Sequence, residues 1–192
     1  KRGDAVIIAT MNANNVRFGL SNYSTNPKLD FPVSGAMSKA SSVGLRLALA
    51  QPSRKVMVWD GDGSLLMNLG SLGTVGNKAP KNLYHFVMDN GVYATTGGQY
   101  TPGTNPASYT ELAKAAGYAA CYEFDDLEDF ASQVEEVMER EGPVLICVKT
   151  VPNIRGPQDE GSSAPVPAVA ETEFVQARPQ SISNLLAEFG GG

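Results

Sequence analysis

The sequence predicts an α/β fold built on a mainly parallel sheet, and three observations carry that expectation. Short apolar runs rich in β-branched residues recur at residues 5–10, 55–59, 83–88, 118–124 and 144–148. Between most of them, apolar residues fall three or four apart, the period of a helix packed on one face. The connecting segments are long enough for crossover helices, so the βαβαβ alternation argues for parallel strands with right-handed crossovers.

Each element has its own local reason. Residues 5–10 form the first buried strand, and the polar run Met11-Asn12-Ala13-Asn14-Asn15 turns it into a short helix through Phe18 and Leu20. Residues 21–35 read as loop, because Asn22, Ser24, Asn26, Pro27, Pro32 and Gly35 are breakers. From Ala36 the spacing of Ala40, Val43, Gly44, Leu47 and Ala48 is helical and ends at Gln51-Pro52-Ser53. Residues 55–59 make a buried strand, and Asp60-Gly61-Asp62-Gly63 breaks it before a crossover helix that starts at Ser64 and carries Gly70, Gly73 and Gly76. Residues 83–88 repeat the strand. A long loop of Gly, Thr and Pro follows Tyr93, and loops of that length in compact domains are usually functional or disordered. Ser108 starts the next helix, Asp125 or Asp126 caps another with apolar positions Leu127, Phe130, Val134 and Val137, and residues 144–148 are the last strand. Past Val151 the composition shifts to Pro, Gly, Ser and Ala, so residues 1–150 are expected to form one domain and 151–192 a wrapping tail with a late helix at residues 182–189.

Composition excludes several function classes. With 15 basic against 20 acidic residues and no basic stripe, the chain has no footprint for nucleic acid. No run approaches the roughly 18 apolar residues of a membrane span, so no membrane role and a cytoplasmic location are expected. Lys1 in the first position leaves a native start and a cut inside a longer chain both open. Cys121 and Cys147 fall in apolar strand runs without CxxC spacing and are expected as buried free thiols. His85, the only histidine, sits between Leu83 and Val87 in a strand, the place of a core histidine. Its burial leaves little acid–base chemistry near neutral pH. There is no Gly-x-Ser-x-Gly elbow, no P-loop ending and no dinucleotide fingerprint.

What remains is a pair of polar strand ends. Asp62 and Asp89-Asn90 are expected at the carboxyl ends of neighbouring parallel strands, where open α/β sheets bind ligands. A small oxygen-seeking divalent ion takes few protein groups and shares phosphate oxygens, while the helix opening at Gly63-Ser64 offers free N–H groups to a diphosphate.

Gly61-Asp62-Gly63 with Asp89-Asn90 resembles the thiamin diphosphate signature, a Gly-Asp-Gly followed some twenty-five residues later by a pair of asparagines. The run Gly-Asp-Gly-Ser-Leu-Leu-Met-Asn-Leu-Gly-Ser-Leu, then Asp-Asn-Gly-Val-Tyr and Thr-Thr-Gly-Gly-Gln, is similar to small subunits and domains of sulfopyruvate and phosphonopyruvate decarboxylases over roughly residues 30–150. The resemblance implies a three-layer αβα diphosphate-binding (PP) module that holds thiamin diphosphate and Mg²⁺. It implies Asp62, Asn90 and the Val92 carbonyl as metal ligands, with Gly61, Gly63 and Ser64 at the diphosphate. Asp89 stands where the first Asn is usual, and the interval is one residue longer than the commonest form, so Asp89 and Asn90 both stay candidates for the metal. Ser34-Gly35-Ala36-Met37 looks like the family segment that wedges an apolar side chain between the cofactor's two rings, with the Gly35 carbonyl at the aminopyrimidine. Thr10 to Asn12 are placed near phosphate, and Tyr93, Thr95, Thr96 and Gln99 on the cofactor and substrate side.

By the same resemblance the catalytic glutamate belongs to a pyrimidine-binding partner subunit or domain. The expected activity is then decarboxylation of a small 2-oxoacid by an oligomer in which this chain supplies half of the active site. Arg17, Lys149 and Arg155 are the cations to be placed against an anionic substrate group. The alternatives are a carboligating, acetolactate synthase-like enzyme, an oxidative thiamin enzyme, or a non-catalytic regulatory subunit. The lack of CxxC sets counts against a ferredoxin-linked type.

Overall fold

The computed structural model describes residues 2–14, 20–102, 108–152, 183–185 and 187–189. Arg17, Arg155 and Ile182 lie outside these. In chain order the elements are β1 (Val6–Thr10), β2 (Asp30–Val33), α1 (Ala40–Ala50), β3 (Val56–Gly61), α2 (Asp62–Leu66), α3 (Ser71–Lys78), β4 (Leu83–Asp89), β5 (Val92–Tyr93), β6 (Gln99–Tyr100), α4 (Tyr109–Ala115), β7 (Ala120–Phe124), α5 (Leu127–Val137) and β8 (Val144–Lys149). Six strands pair in the order β2-β1-β3-β4-β8-β7, and each neighbouring pair is parallel. The expected α/β sheet is there, with β3 and β4 side by side in its middle.

Alternation along the strands sorts the core into two faces. Val6, Ile8, Val56, Val58, Leu83, Leu145 and Cys147 face one way and pack with Leu45 and Ala48 of α1, Leu72 and Val75 of α3 and Ala113 of α4. Ile7, Ala9, Met57, Tyr84, Phe86 and Ile146 face the other way, with Val137, Phe130 and Val134 of α5. Helices on both faces make the three layers. The small residues of α1 explain its close seat, since a Cβ at Gly44 would overlap the Val58 side chain. Leu185 from the late helix joins the first face, and Arg54 lies 5.4 Å over the Phe189 ring.

Four expectations shift and a fifth, left open between two residues, narrows to one. Residues 21–35 are not all loop, because Asp30–Val33 is a strand. Its position at the sheet edge makes Pro32 harmless, since an edge strand need not donate on both sides. The helix expected from Ala36 starts at Ala40, after a turn in which Ser38 takes φ +75°. The crossover helix after β3 is two pieces, α2 and α3, that meet in a turn ending at Gly70. The long loop after Tyr93 contains a two-stranded antiparallel ribbon, β5 with β6. Asp126, not Asp125, caps α5, with its carboxylate accepting from the Glu128 and Asp129 N–H groups.

Candidate functional site

The site is built at the carboxyl ends of β1, β3 and β4. Where β3 ends, the chain turns directly into α2, so Asp62 is the first helical residue and is 2% exposed. The register Asp60↔Val87 and Gly61↔Met88 sets the end of β4 beside it. Beyond β4, Gly91 takes φ +70°, a conformation open to glycine, and the ribbon folds back over α2. These turns border an open cleft lined by Thr10, Met37, Asp62, Asn90, Val92 and Tyr93 among others.

Most of the expected site residues meet in this cleft, and some do not. Thr10, Met37, Gly61, Asp62, Gly63, Ser64, Asn90, Val92, Tyr93 and Thr95 all line it. Gly35 does not. It sits exposed in the turn before Met37 at φ +61°. Thr96 and Gln99 hydrogen-bond each other at the ribbon tip, with Gln99 Nε2 donating to the Thr96 carbonyl at 2.9 Å, and stand outside the lining. The backbone of Asn12 lies in the 3₁₀ turn Met11–Asn14, and its side chain is outside the described set.

Polar contacts fix the orientation of the acidic groups. Asp62 Oδ2 accepts from the Gly91 N–H and from the Thr101 hydroxyl, both at 3.1 Å. Burial pushes the Asp62 carboxyl above the usual range and the Asp89 charge adds to this, while the Gly63, Thr101 and Gly91 donors pull it back. Asp89 points elsewhere. Its Oδ2 accepts from Lys149 Nζ at 2.6 Å, at the end of β8, and it is not among the lining residues. Burial lowers the Lys149 pKa, but the hydrogen bond to Asp89 and its charge outweigh that, and the net shift is upward. Asn90 faces the cleft, with Oδ1 accepting from the Val92 N–H at 3.0 Å and a second lone pair still available.

Ser64 is engaged in an unforeseen way. Its Oγ accepts from the Ser38 N–H at 2.9 Å, and Asn68 Nδ2 donates to the Ser38 carbonyl at 3.2 Å. The left-handed turn that carries Met37 is therefore pinned to α2. Met11, inside the expected Thr10 to Asn12 turn, also lines the cleft, whereas sequence reasoning missed Ala13, Asp60, Met88 and Ala94 in the lining and Thr101 behind it. Asp60 had a signal, since an acidic residue closing an apolar strand has to be placed somewhere. It is 1% exposed, and its Oδ2 lies 3.7 Å from Nε2 of His85, whose Nδ1 is 3.1 Å from the Tyr118 hydroxyl. His85 is thus a core histidine, as expected.

Asp62, Asn90 and Val92, whose carboxylate, amide and carbonyl oxygens are donors of the kind a hard cation takes, share the lining, and a Cβ on Gly61 would meet no atom within 4 Å. Gly63 is closed, because a Cβ there would fall inside the Tyr93 ring. Among the described residues no group of three or more His, Cys, Asp or Glu could hold a metal by itself, and no helix is long and apolar enough to cross a membrane. Cys121 and Cys147 are free, Cys147 buried and Cys121 only half-buried.

Comparison with known proteins points to one family. The family described as "Thiamine pyrophosphate enzyme, C-terminal TPP binding domain" matches residues 10–148. Phosphonopyruvate decarboxylase of Streptomyces viridochromogenes is 46% identical over 116 residues, 60% of this chain and 29% of that protein. Sulfopyruvate decarboxylase subunit beta of Methanocaldococcus jannaschii is 39% identical over 130 residues, 68% of each chain. The chain thus spans less than a third of the first relative and about two thirds of the second. Among solved structures, benzoylformate decarboxylase from Polynucleobacter necessarius superposes with TM-score 0.67 at 18% identity, over 81% of this chain and 32% of that one.

Proposed function

Since the chain belongs to the thiamine pyrophosphate enzyme family through its C-terminal TPP-binding domain, we propose that it is the diphosphate- and Mg²⁺-binding half of a 2-oxoacid decarboxylase. The substrate is a small 2-oxoacid of the sulfopyruvate or phosphonopyruvate kind, by likeness to the decarboxylases named above. One observation carries the reading. Asp62, Asn90 and Val92 converge on one cleft, with Met37 also in its lining.

In this reading Asp62, Asn90 and the Val92 carbonyl hold Mg²⁺, and Asp89 is spent on Lys149. Thr10, Gly61, Gly63 and the opening of α2 receive the diphosphate, and Met37 sets the cofactor's bend on a turn held by Ser64 and Asn68. Thr95, which lines the cleft and is exposed, faces the substrate. Thiamin diphosphate, when bound, supplies the electron sink for loss of CO₂. The chain's own residues bind, orient and shield it. His85, the one histidine of the sequence, is buried beside Asp60 and Tyr118 and does not line the cleft. A pyrimidine-binding partner subunit or domain therefore contributes the acid–base group, and the working unit is a cytoplasmic oligomer. Of the three candidate cations Lys149 alone is among the described residues, and it is paired with Asp89 and lies 3.6 Å from Glu123, so it is committed within the chain.

Two measurements test this. Asp62→Ala should abolish Mg²⁺-dependent thiamin diphosphate binding in the assembled enzyme, and unchanged calorimetric affinity would sink the metal assignment. The purified chain alone should not decarboxylate 2-oxoacids; full turnover without a partner would overturn the split site.

A further inference from the structure

Thr101 lies just past the ribbon, in a segment of small polar residues that carries no motif, and is only 3% exposed. Its hydroxyl donates to Asp62 Oδ2 at 3.1 Å, and its N–H donates to the Gly91 carbonyl at 2.9 Å. Gly91 in turn donates its own N–H to the same Asp62 oxygen at 3.1 Å. Thr101, Gly91 and Asp62 therefore close a ring of three hydrogen bonds. The methyl of Thr101 packs over Gly63, 3.2 Å from where a Cβ would stand. Thr101 is outside the cleft lining.

We infer that Thr101 is a positioning residue for the metal-binding carboxylate, locking one oxygen of Asp62 with the Gly91 N–H so that the carboxylate meets Mg²⁺ in a fixed orientation. This rests on the Mg²⁺ reading above. Mg²⁺ demands near-ideal octahedral geometry and tolerates misplaced ligands poorly. An Asp rotating freely would have to be ordered at each binding event, whereas one already held by two donors on Oδ2 is ordered in advance. The hydroxyl reaches the carboxylate only because Gly63 lets the ribbon settle onto α2.

The test is calorimetric titration of thiamin diphosphate into the assembled enzyme at a series of Mg²⁺ concentrations, for the parent protein, Thr101→Val, Thr101→Ser and Asp62→Ala. Thr101→Val keeps the shape and removes the donor, so the Mg²⁺ needed for half-saturation should rise about tenfold. Thr101→Ser returns the donor and should restore the parent value to within about twofold. Asp62→Ala should remove the Mg²⁺ dependence altogether. If Asp62→Ala does so while Thr101→Val matches the parent, the role of Thr101 is overturned and the metal assignment stands. If Thr101→Ser fails alongside Thr101→Val, packing and not the hydroxyl matters, and the inference is overturned. If Asp62→Ala itself leaves the dependence intact, both readings fall together.

Discussion

The two arms of the cleft are built by opposite means. The β3–α2 arm comes out of the middle of the sheet, flanked by β1 and β4, and its acidic residues Asp60 and Asp62 are almost wholly buried. The β5–β6 ribbon has two residue pairs, and Gln99 and Tyr100 are exposed, Tyr100 at 80%. An isolated two-stranded ribbon is marginal in water. It is kept in place by polar bonds to the rigid arm, through Gly91 and Thr101 onto Asp62. Asp62, proposed above to hold Mg²⁺, therefore also joins a rigid element to a weak one. Damage to the first arm should register as lost stability, and damage to the second as lost ligand binding.

The largest stability effect is expected outside the cleft lining, where two helices of one layer, α3 and α4, meet closely. A Cβ at Gly76 of α3 would overlap the Ala116 backbone carbonyl at the end of α4. Backbone cannot rotate away as a side chain can, so Gly76→Ala should destabilise the fold by about 3 kcal/mol. Urea unfolding checks this. A loss below about 0.5 kcal/mol, the range of ordinary surface changes, would mean the helices part freely.

Legibility in the sequence follows the same division. The strands of the rigid arm were readable because apolar runs of one period end in Asp62 and in Asp89-Asn90, and neighbouring parallel strands bring such ends together. Met37 was readable through its family segment. The ribbon was not, because two-residue strands of Val-Tyr and Gln-Tyr carry no periodicity, and a Thr in a run of Thr, Pro and Gly gives no sign that it is buried. β2 was hidden by Pro32, which only its edge position permits. The proposed choice of Asn90 over Asp89 rests on Lys149, sixty residues further on and adjacent only through the β4–β8 register. Gly35 and Gln99 lie beside cleft residues in sequence without lining the cleft themselves.

Gly63 separates the arms more sharply. It belongs to the rigid arm, but a Cβ there would strike the Tyr93 ring and press on the Thr101 methyl, both on the ribbon side. The cheapest relief is for the ribbon to lift, since it has few other contacts to lose. Gly63→Ala should therefore cost only about 1 kcal/mol in unfolding while weakening cofactor binding about tenfold, as second-shell loss does. Calorimetry and urea unfolding on one preparation read both numbers. An unfolding loss as large as that of Gly76→Ala, with binding intact, would erase the distinction between the arms.

The smallest expected effect lies at the ribbon tip. Gln99 Nε2 donates to the Thr96 carbonyl, and the Thr96 hydroxyl lies 3.0 Å from Gln99 Oε1. These bonds brace the turn in which the Gly98 N–H donates to the Tyr93 carbonyl at 3.0 Å. Both side chains are exposed, so water competes for the two bonds and their combined net contribution is about 0.5 kcal/mol. That is too small to see in global unfolding. It is visible locally, because Gly98 exchanges its amide hydrogen through opening of the tip alone. Gln99→Ala should speed exchange at Gly98 about twofold by that energy, with the amides of β4 unchanged. Equal acceleration at Gly98 and in β4 would show that the ribbon opens only with the sheet, and the weak arm would then be as firmly built as the strong one.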